Sequence, residues 1–427
     1  MTYVHNSLLI SINIKLHRYV LHFVCPPKVM TAAEAFVKEE GYQSDDEDSF
    51  YFKGVKHLCE TGVTHVPTKY ILPVSDRPHL INEQDDVQEL NLKLPIIDFA
   101  ELHGPNRSRV LDSLRSACEN HGFFQLVNHG ISGDVISNMM DVGRRFFELP
   151  FEEREKLMST DMRSPVRYGT SFNQTKDGVF CWRDFLKLVC HPLSDVLPHW
   201  PSSPLDFRNK GVAYANESKA VFLKLVEAIL ESLQLTTMGK MTREMEGILK
   251  EFEDGSHLMV LNCYPPCPQP ELTFGMPPHS DYGFVTLVLQ DEVAGLQIMS
   301  QNRWHTVQPV PNSFVVNVGD HLEIFSNGRY KSVLHRVLAN SRKSRISVAS
   351  LHSLPFESTV RPWPKLIDEK NPRQYMDTHF SDFQNYLDLC DAKKKNFLES
   401  RKLTKLKIAD NTSLESWRQR GQKRTRE

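Results

Sequence analysis

From residue 257 onward, seven short runs rich in β-branched and apolar residues follow one another: HLMVLNCY, FVTLVLQ, LQIMS, WHTVQPV, FVVNVGD, SVLHRVL and RISVASLH. Gly, Pro, Asn and Asp punctuate them at short intervals. Many short strands with regular turn signals form a sandwich or a closed barrel. Ahead of them, from about 94 to 250, the pattern is mostly helical after one opening strand, LPIIDF at 94–99. In RVLDSLRSACENHGFF, Val110, Leu114, Ala117 and Cys118 recur at i, i+4, i+7 and i+8, an amphipathic helix closed by Gly122. The stretch FFQLVNHG (123–130) reads as a strand ended by Asn and Gly, and further helices are expected at about 134–148 and 215–234. Helices first and strands afterwards predict an α+β fold. The expected core is a jelly roll (a double-stranded β-helix) with helices packed outside one sheet.

This reading divides the chain into five parts. Residues 1–52 form an N-terminal extension and 53–250 a mostly helical region. The jelly-roll core spans 251–360, a C-terminal helical segment 361–402, and a basic tail 403–427. Bulk properties exclude several classes. A formal net charge of −2 and a pI near 6.8 give no whole-chain attraction to nucleic acid or anionic membranes. Residues 7–24 look apolar, but Asn13, Lys15, His17, Arg18 and His22 interrupt them, so they fail as a membrane span and as a signal peptide. Met30 opens a more conventional beginning, and residues 1–29 are read as an upstream extension. Eight cysteines in this length are no disulfide framework, and Cys263 and Cys267 lack a second pair to complete a zinc site. A reduced, cytoplasmic monomer is expected, with nuclear presence through the basic tail as the alternative.

The chemistry concentrates in three places. In PPHSDYGF, His279 and Asp281 stand one residue apart at the mouth of a strand. Alone, that is as readily a turn as half of a metal site. His335 lies among apolar neighbours in SVLHRVL, where a single histidine is usually structural. Arg345 and Ser347 sit two apart in RISVASLH and so share one face of their strand. An arginine inside a strand demands a partner, and a carboxylate held by two parallel hydrogen bonds is the natural one. Taken together, two His and one carboxylate make the facial triad of non-haem Fe(II) oxygenases. Arg345 and Ser347 would then anchor the far carboxylate of a keto acid that chelates the iron.

With these motifs in order, the sequence resembles the plant 2-oxoglutarate/Fe(II)-dependent dioxygenases over roughly residues 53–402. The N-terminal half of the likeness rests on LPIIDFAEL, ACENHGFFQLVNHGI and RRFFELPFEEREK; the C-terminal half rests on LNCYPPCPQPEL, MPPHSDYGF, FVVNVGDHLEIFSNGRYKSVLHRV and SRISVASLH. VRYGTSFNQ and CWRDFLKL are similar to the downy-mildew-resistance and flavanone 3-dioxygenase-like group. The resemblance implies Fe(II) held by His279, Asp281 and His335, and 2-oxoglutarate held by Arg345, Ser347 and Tyr264, with Asn262 beside it. It also implies O2 as co-substrate, ascorbate as reductant, and a small-molecule substrate that is hydroxylated or desaturated. By the same analogy Tyr168, Phe172, Phe284 and Phe356 are candidates for the pocket wall, each equally open to a packing role. Three rivals stand beside this reading: an ascorbate-dependent oxidase of the same fold, a non-catalytic metal-binding β-barrel, and a zinc hydrolase.

Overall fold

All seven C-terminal runs contain strands in the computed structural model, which describes residues 53–78, 91–171, 177–234, 242–389 and 397–403. In chain order the first strands are β1 (Asn91–Leu92), β2 (Ile96–Asp98), β3 (Phe123–Val127), β4 (Val166–Thr170) and β5 (Asp184–Val189). Then come β6 (His257–Tyr264), β7 (Met276–His279), β8 (Val285–Gln290) and β9 (Leu296–Ser300). The last are β10 (Arg303–Val307), β11 (Phe314–Val318), β12 (His335–Val337) and β13 (Arg345–His352). They form an eight-stranded sheet in the order β2-β3-β11-β8-β13-β6-β5-β4 and a five-stranded sheet in the order β1-β10-β9-β12-β7. The α+β jelly roll expected from the sequence is what the chain builds.

Two differences from the sequence reading matter for the site. The stretch before residue 250 is not only helical, because β2 to β5 join the same large sheet as β6, β8, β11 and β13. The second difference is β7, read from its prolines as an approach turn. It pairs only with β12 at the edge of the smaller sheet, where the missing N–H groups of Pro277 and Pro278 cost no ladder bonds.

Strand alternation separates two cores. On the outer face, Leu261, Leu287, Val316 and Val348 pack with Leu114, Val142, Phe222 and Ile229 from the helices Arg107–Asn120, Gly133–Phe147 and Phe207–Ser232. Burying a side chain of this size contributes about 1.5–3 kcal/mol. Between the sheets lies a smaller cluster that includes Phe123, Tyr264, Met276, Ile298, Val315 and Val337. Gly122 makes the turn from helix to β3 with φ +63°, and a Cβ there would meet the Lys331 carbonyl oxygen at 2.2 Å. No helix among the described residues is long and apolar enough to cross a membrane. The extension 1–52, Phe172 and the tail from residue 404 lie outside the described residues.

Candidate functional site

Sheet register brings the two histidines together across 55 residues of sequence. His279 ends β7 and faces His335, which opens β12, with ring centroids 4.1 Å apart. The Nδ1 atoms lie 2.9 Å from the Pro277 carbonyl oxygen and 3.2 Å from that of Val333. A carbonyl oxygen can only accept, so Nδ1 carries a proton on each ring and Nε2 is the atom left to meet a metal. Both Nε2 atoms face the same oxygen of Asp281, at 3.7 and 3.6 Å. The loop carrying Asp281 is clamped from behind, where its carbonyl accepts from the Asp320 N–H at 2.7 Å. A Cβ on Gly319 would meet the Gly283 carbonyl at 2.0 Å, so only glycine lets the two turns approach this closely.

The second oxygen of Asp281 accepts from the Thr286 hydroxyl at 2.6 Å and the Asn317 amide at 2.8 Å. Thr286 and Asn317 are directly paired between β8 and β11, so the large sheet aims the carboxylate at the histidines. Burial, and then the neighbouring His335, push His279 down to about 3 and keep its ring neutral. For Asp281, burial opposes the charge, but His335 and His279 outweigh it and hold the carboxyl well below its usual range. One carboxylate oxygen and two imidazole nitrogens within 4.8 Å of one another suit a divalent first-row ion, and three protein ligands leave positions for others. The residues present therefore fit an iron centre. Thr286→Val removes one of the two donors that orient Asp281, and iron affinity should fall by ~10–100-fold while the fold is kept. Calorimetric titration with Fe(II) under anaerobic conditions checks this, and an unchanged affinity would refute the orienting role.

Arg345 and Ser347 both face the interior from β13, opposite Tyr264 and Asn262 of β6 in register. The Arg345 guanidinium lies 5.2 Å from the Tyr264 ring centroid. It donates to the Gln290 side-chain oxygen at 2.8 Å and to the Ser347 hydroxyl at 3.4 Å. Gly295 makes room for it, since a Cβ there would stand 3.1 Å from the arginine Cδ. Arg345 is buried, forms no salt bridge among the described residues, and its Nε has no hydrogen-bond partner. A buried guanidinium without an acid is costly unless a ligand supplies the charge. Here the distal carboxylate of a keto acid fits. Asn262 lies beside this seat, with its amide 3.5 Å from the Ser347 hydroxyl.

The aromatic pocket candidates fare differently. Tyr168 is fully buried on the helix side of β4, where its hydroxyl donates to Asp184 at 3.0 Å and accepts from Arg154 at 3.2 Å. It is a structural residue, because alternation along β4 turns Arg167 rather than Tyr168 toward the interior. Phe284 is also fully buried; it precedes β8 and packs against Phe252 and Phe325 of two outer helices. Neither ring can line an open pocket. Phe356 is half-buried 4.3 Å from Phe380, which in turn lies 5.3 Å from Tyr282, the neighbour of Asp281. Among residues the sequence reading left unnamed, Thr286, Asn317 and Gln290 support the site. The signal available for them was their inward parity on β8 and β11.

Comparison with known proteins follows the same lines. Residues 255–353 match the 2OG-Fe(II) oxygenase superfamily, and residues 94–205 match the N-terminal region of non-haem dioxygenases in morphine synthesis. The chain is 41% identical to Protein DMR6-LIKE OXYGENASE 1 of Arabidopsis thaliana over 307 residues, 72% of this chain and 84% of that protein. It is 41% identical to Flavanone 3-dioxygenase 2 of Oryza sativa subsp. japonica over 319 residues, 74% of this chain and 89% of that protein. Among solved structures, JOX2 in complex with 2OG, Fe and JA superposes with a TM-score of 0.71 at 30% identity, covering 82% of this chain and 98% of that one.

Proposed function

Because the chain belongs to the 2OG-Fe(II) oxygenase superfamily, as a dioxygenase of the plant DMR6 and flavanone 3-dioxygenase type, we propose that it hydroxylates or desaturates a small hydrophobic or aromatic plant metabolite. A flavonoid, a phenolic acid or a diterpenoid hormone are the classes in view, with succinate and CO2 released. The enzyme is an oxidoreductase that uses Fe(II) and 2-oxoglutarate. In this reading His279, Asp281 and His335 hold the iron. Arg345, Ser347 and Tyr264 hold the distal carboxylate of 2-oxoglutarate, and Asn262 flanks it. The observation that carries the proposal is the pairing of a two-histidine, one-carboxylate set with a buried arginine that forms no salt bridge among the described residues.

Bound iron and 2-oxoglutarate supply the oxidising chemistry that removes hydrogen from the substrate. The chain's residues do the rest. Thr286 and Asn317 fix the Asp281 carboxylate, and the Pro277 and Val333 carbonyls fix the imidazole tautomers. Phe123, whose ring is 5.4 Å from that of His335, and Met276, Ile298 and Val315 keep water from the inner side. Phe356 is retained as a candidate wall residue, since its ring packs on Phe380, which lies 5.3 Å from Tyr282 beside Asp281.

The test is a substrate-panel assay with Fe(II), 2-oxoglutarate and ascorbate, reading succinate and product mass. Product in step with succinate supports the proposal. Product without succinate would favour the ascorbate-dependent oxidase, and absence of both across flavonoid, phenolic and diterpenoid panels would overturn it.

A further inference from the structure

Behind the metal donors lies a buried carboxylate that no step above uses. Asp320 opens the short helix Asp320–Phe325 and is 1% exposed. One of its side-chain oxygens accepts from the Ser332 hydroxyl at 2.7 Å, and the other accepts from the Ser280 hydroxyl at 3.2 Å. Ser280 sits between His279 and Asp281. Ser332 precedes Val333, whose carbonyl oxygen lies 3.2 Å from the His335 Nδ1 and orients that ring. One carboxylate therefore bridges the two chain segments that carry all three donors. The Asp320 N–H adds a third tie, to the Asp281 carbonyl at 2.7 Å. Glu323, buried on the same helix, accepts from the Ser332 N–H and from the Tyr375 hydroxyl. Ser332 is thus held through both its side chain and its backbone.

The strand ladder between those segments is too thin to fix the donors alone. β7 pairs only with β12, through His279 with His335 and Met276 with Val337, and the register is irregular between the two pairs. Pro277 and Pro278 have no N–H to add to it. Thr286 and Asn317 fix Asp281 from the large sheet, but neither bonds to the segment leading into His335. A metal site needs its donors held to within about 0.5 Å. Resting on the reading that His279, Asp281 and His335 hold the iron, we propose that Asp320 is a positioning residue. Its carboxylate staples the loop of His279 and Asp281 to the segment leading into His335, and so sets the spacing of the donors before metal binds. Both partners are hydroxyls, so the staple depends on two hydrogen-bonding atoms. An asparagine there accepts from Ser332 with its oxygen and donates to Ser280 with its nitrogen, whereas alanine offers neither.

The test titrates the full chain with Fe(II) by anaerobic calorimetry, and with Co(II), whose visible absorption changes with coordination geometry. Asp320→Ala should weaken Fe(II) binding by ~10–100-fold, the range for losing a partner behind a metal ligand, and should alter the Co(II) spectrum. Asp320→Asn, which keeps both bonds, should restore most of that affinity and the wild-type Co(II) spectrum. Ser280→Ala combined with Ser332→Ala cuts the same two bonds at their far ends without emptying the Asp320 site. It should weaken Fe(II) binding by a similar factor, and adding it to Asp320→Ala should cost nothing further, because the three groups act as one unit. If Asp320→Ala fails to fold, the serine pair and Asp320→Asn carry the comparison. Unchanged Fe(II) affinity in the serine pair, a loss in Asp320→Asn as large as the pair's, or additive losses in the combined variant would overturn the proposal. Failure of the underlying reading shows separately: His279→Ala would then bind Fe(II) as tightly as the wild-type chain.

Discussion

Replacing His279 with Ala should abolish turnover and iron binding together, a loss well beyond the ~10–100-fold expected when only a supporting contact is removed. The geometry supports this. His279 contributes one of just three donor atoms, and its partners at Asp281 and His335 are fixed by separate strands and cannot move in to replace it. The fold should survive, because the imidazole makes one backbone hydrogen bond and otherwise meets only the His335 ring and the Asp281 carboxylate. Metal-free melting temperatures of the two proteins should therefore agree within a few degrees, the span of about 1 kcal/mol in a chain of this size. Calorimetric Fe(II) titration and succinate release measure the loss. Retention of either at wild-type level in His279→Ala would remove the histidine from the metal set.

Arg345→Lys should raise the apparent KM for 2-oxoglutarate by ~10–100-fold, because a hydrogen bond to a charged group contributes about 1.5–3 kcal/mol. Lysine keeps the charge but loses the planar fork that meets both carboxylate oxygens. It also loses the bond to Gln290 that sets the direction of the guanidinium. The effect should fall on KM for 2-oxoglutarate, with a smaller change in the constant for the organic substrate. An unchanged KM would mean that the co-substrate's distal carboxylate is held elsewhere. A comparable loss for the organic substrate would mean that the two binding seats are not separate.

Much of this was legible in the linear order of a few residues. His279-Ser280-Asp281, a later His335 and Arg345-Ile346-Ser347 form a set whose chemistry is hard to explain otherwise. The runs at 257–264, 296–300 and 345–352 coincide with β6, β9 and β13. The prolines of β7 hid that strand, since an edge position that tolerates them cannot be read without knowing the sheet. Tyr168 failed as a wall residue for a related reason. Periodicity states that Arg167 and Tyr168 point to opposite sides of β4, but not which side is the cavity.

The sequence by itself determined the strand-rich C-terminal half and pointed to a two-histidine, one-carboxylate set and a strand arginine as candidates, because each is carried by local composition or short spacing. Tertiary structure decided which residues meet. It paired His279 with His335, placed Thr286 and Asn317 behind Asp281, and buried Phe284 among helices. These outcomes depend on cross-strand register between segments far apart in the chain. A shift of one residue in that register would turn every one of those side chains to the other face.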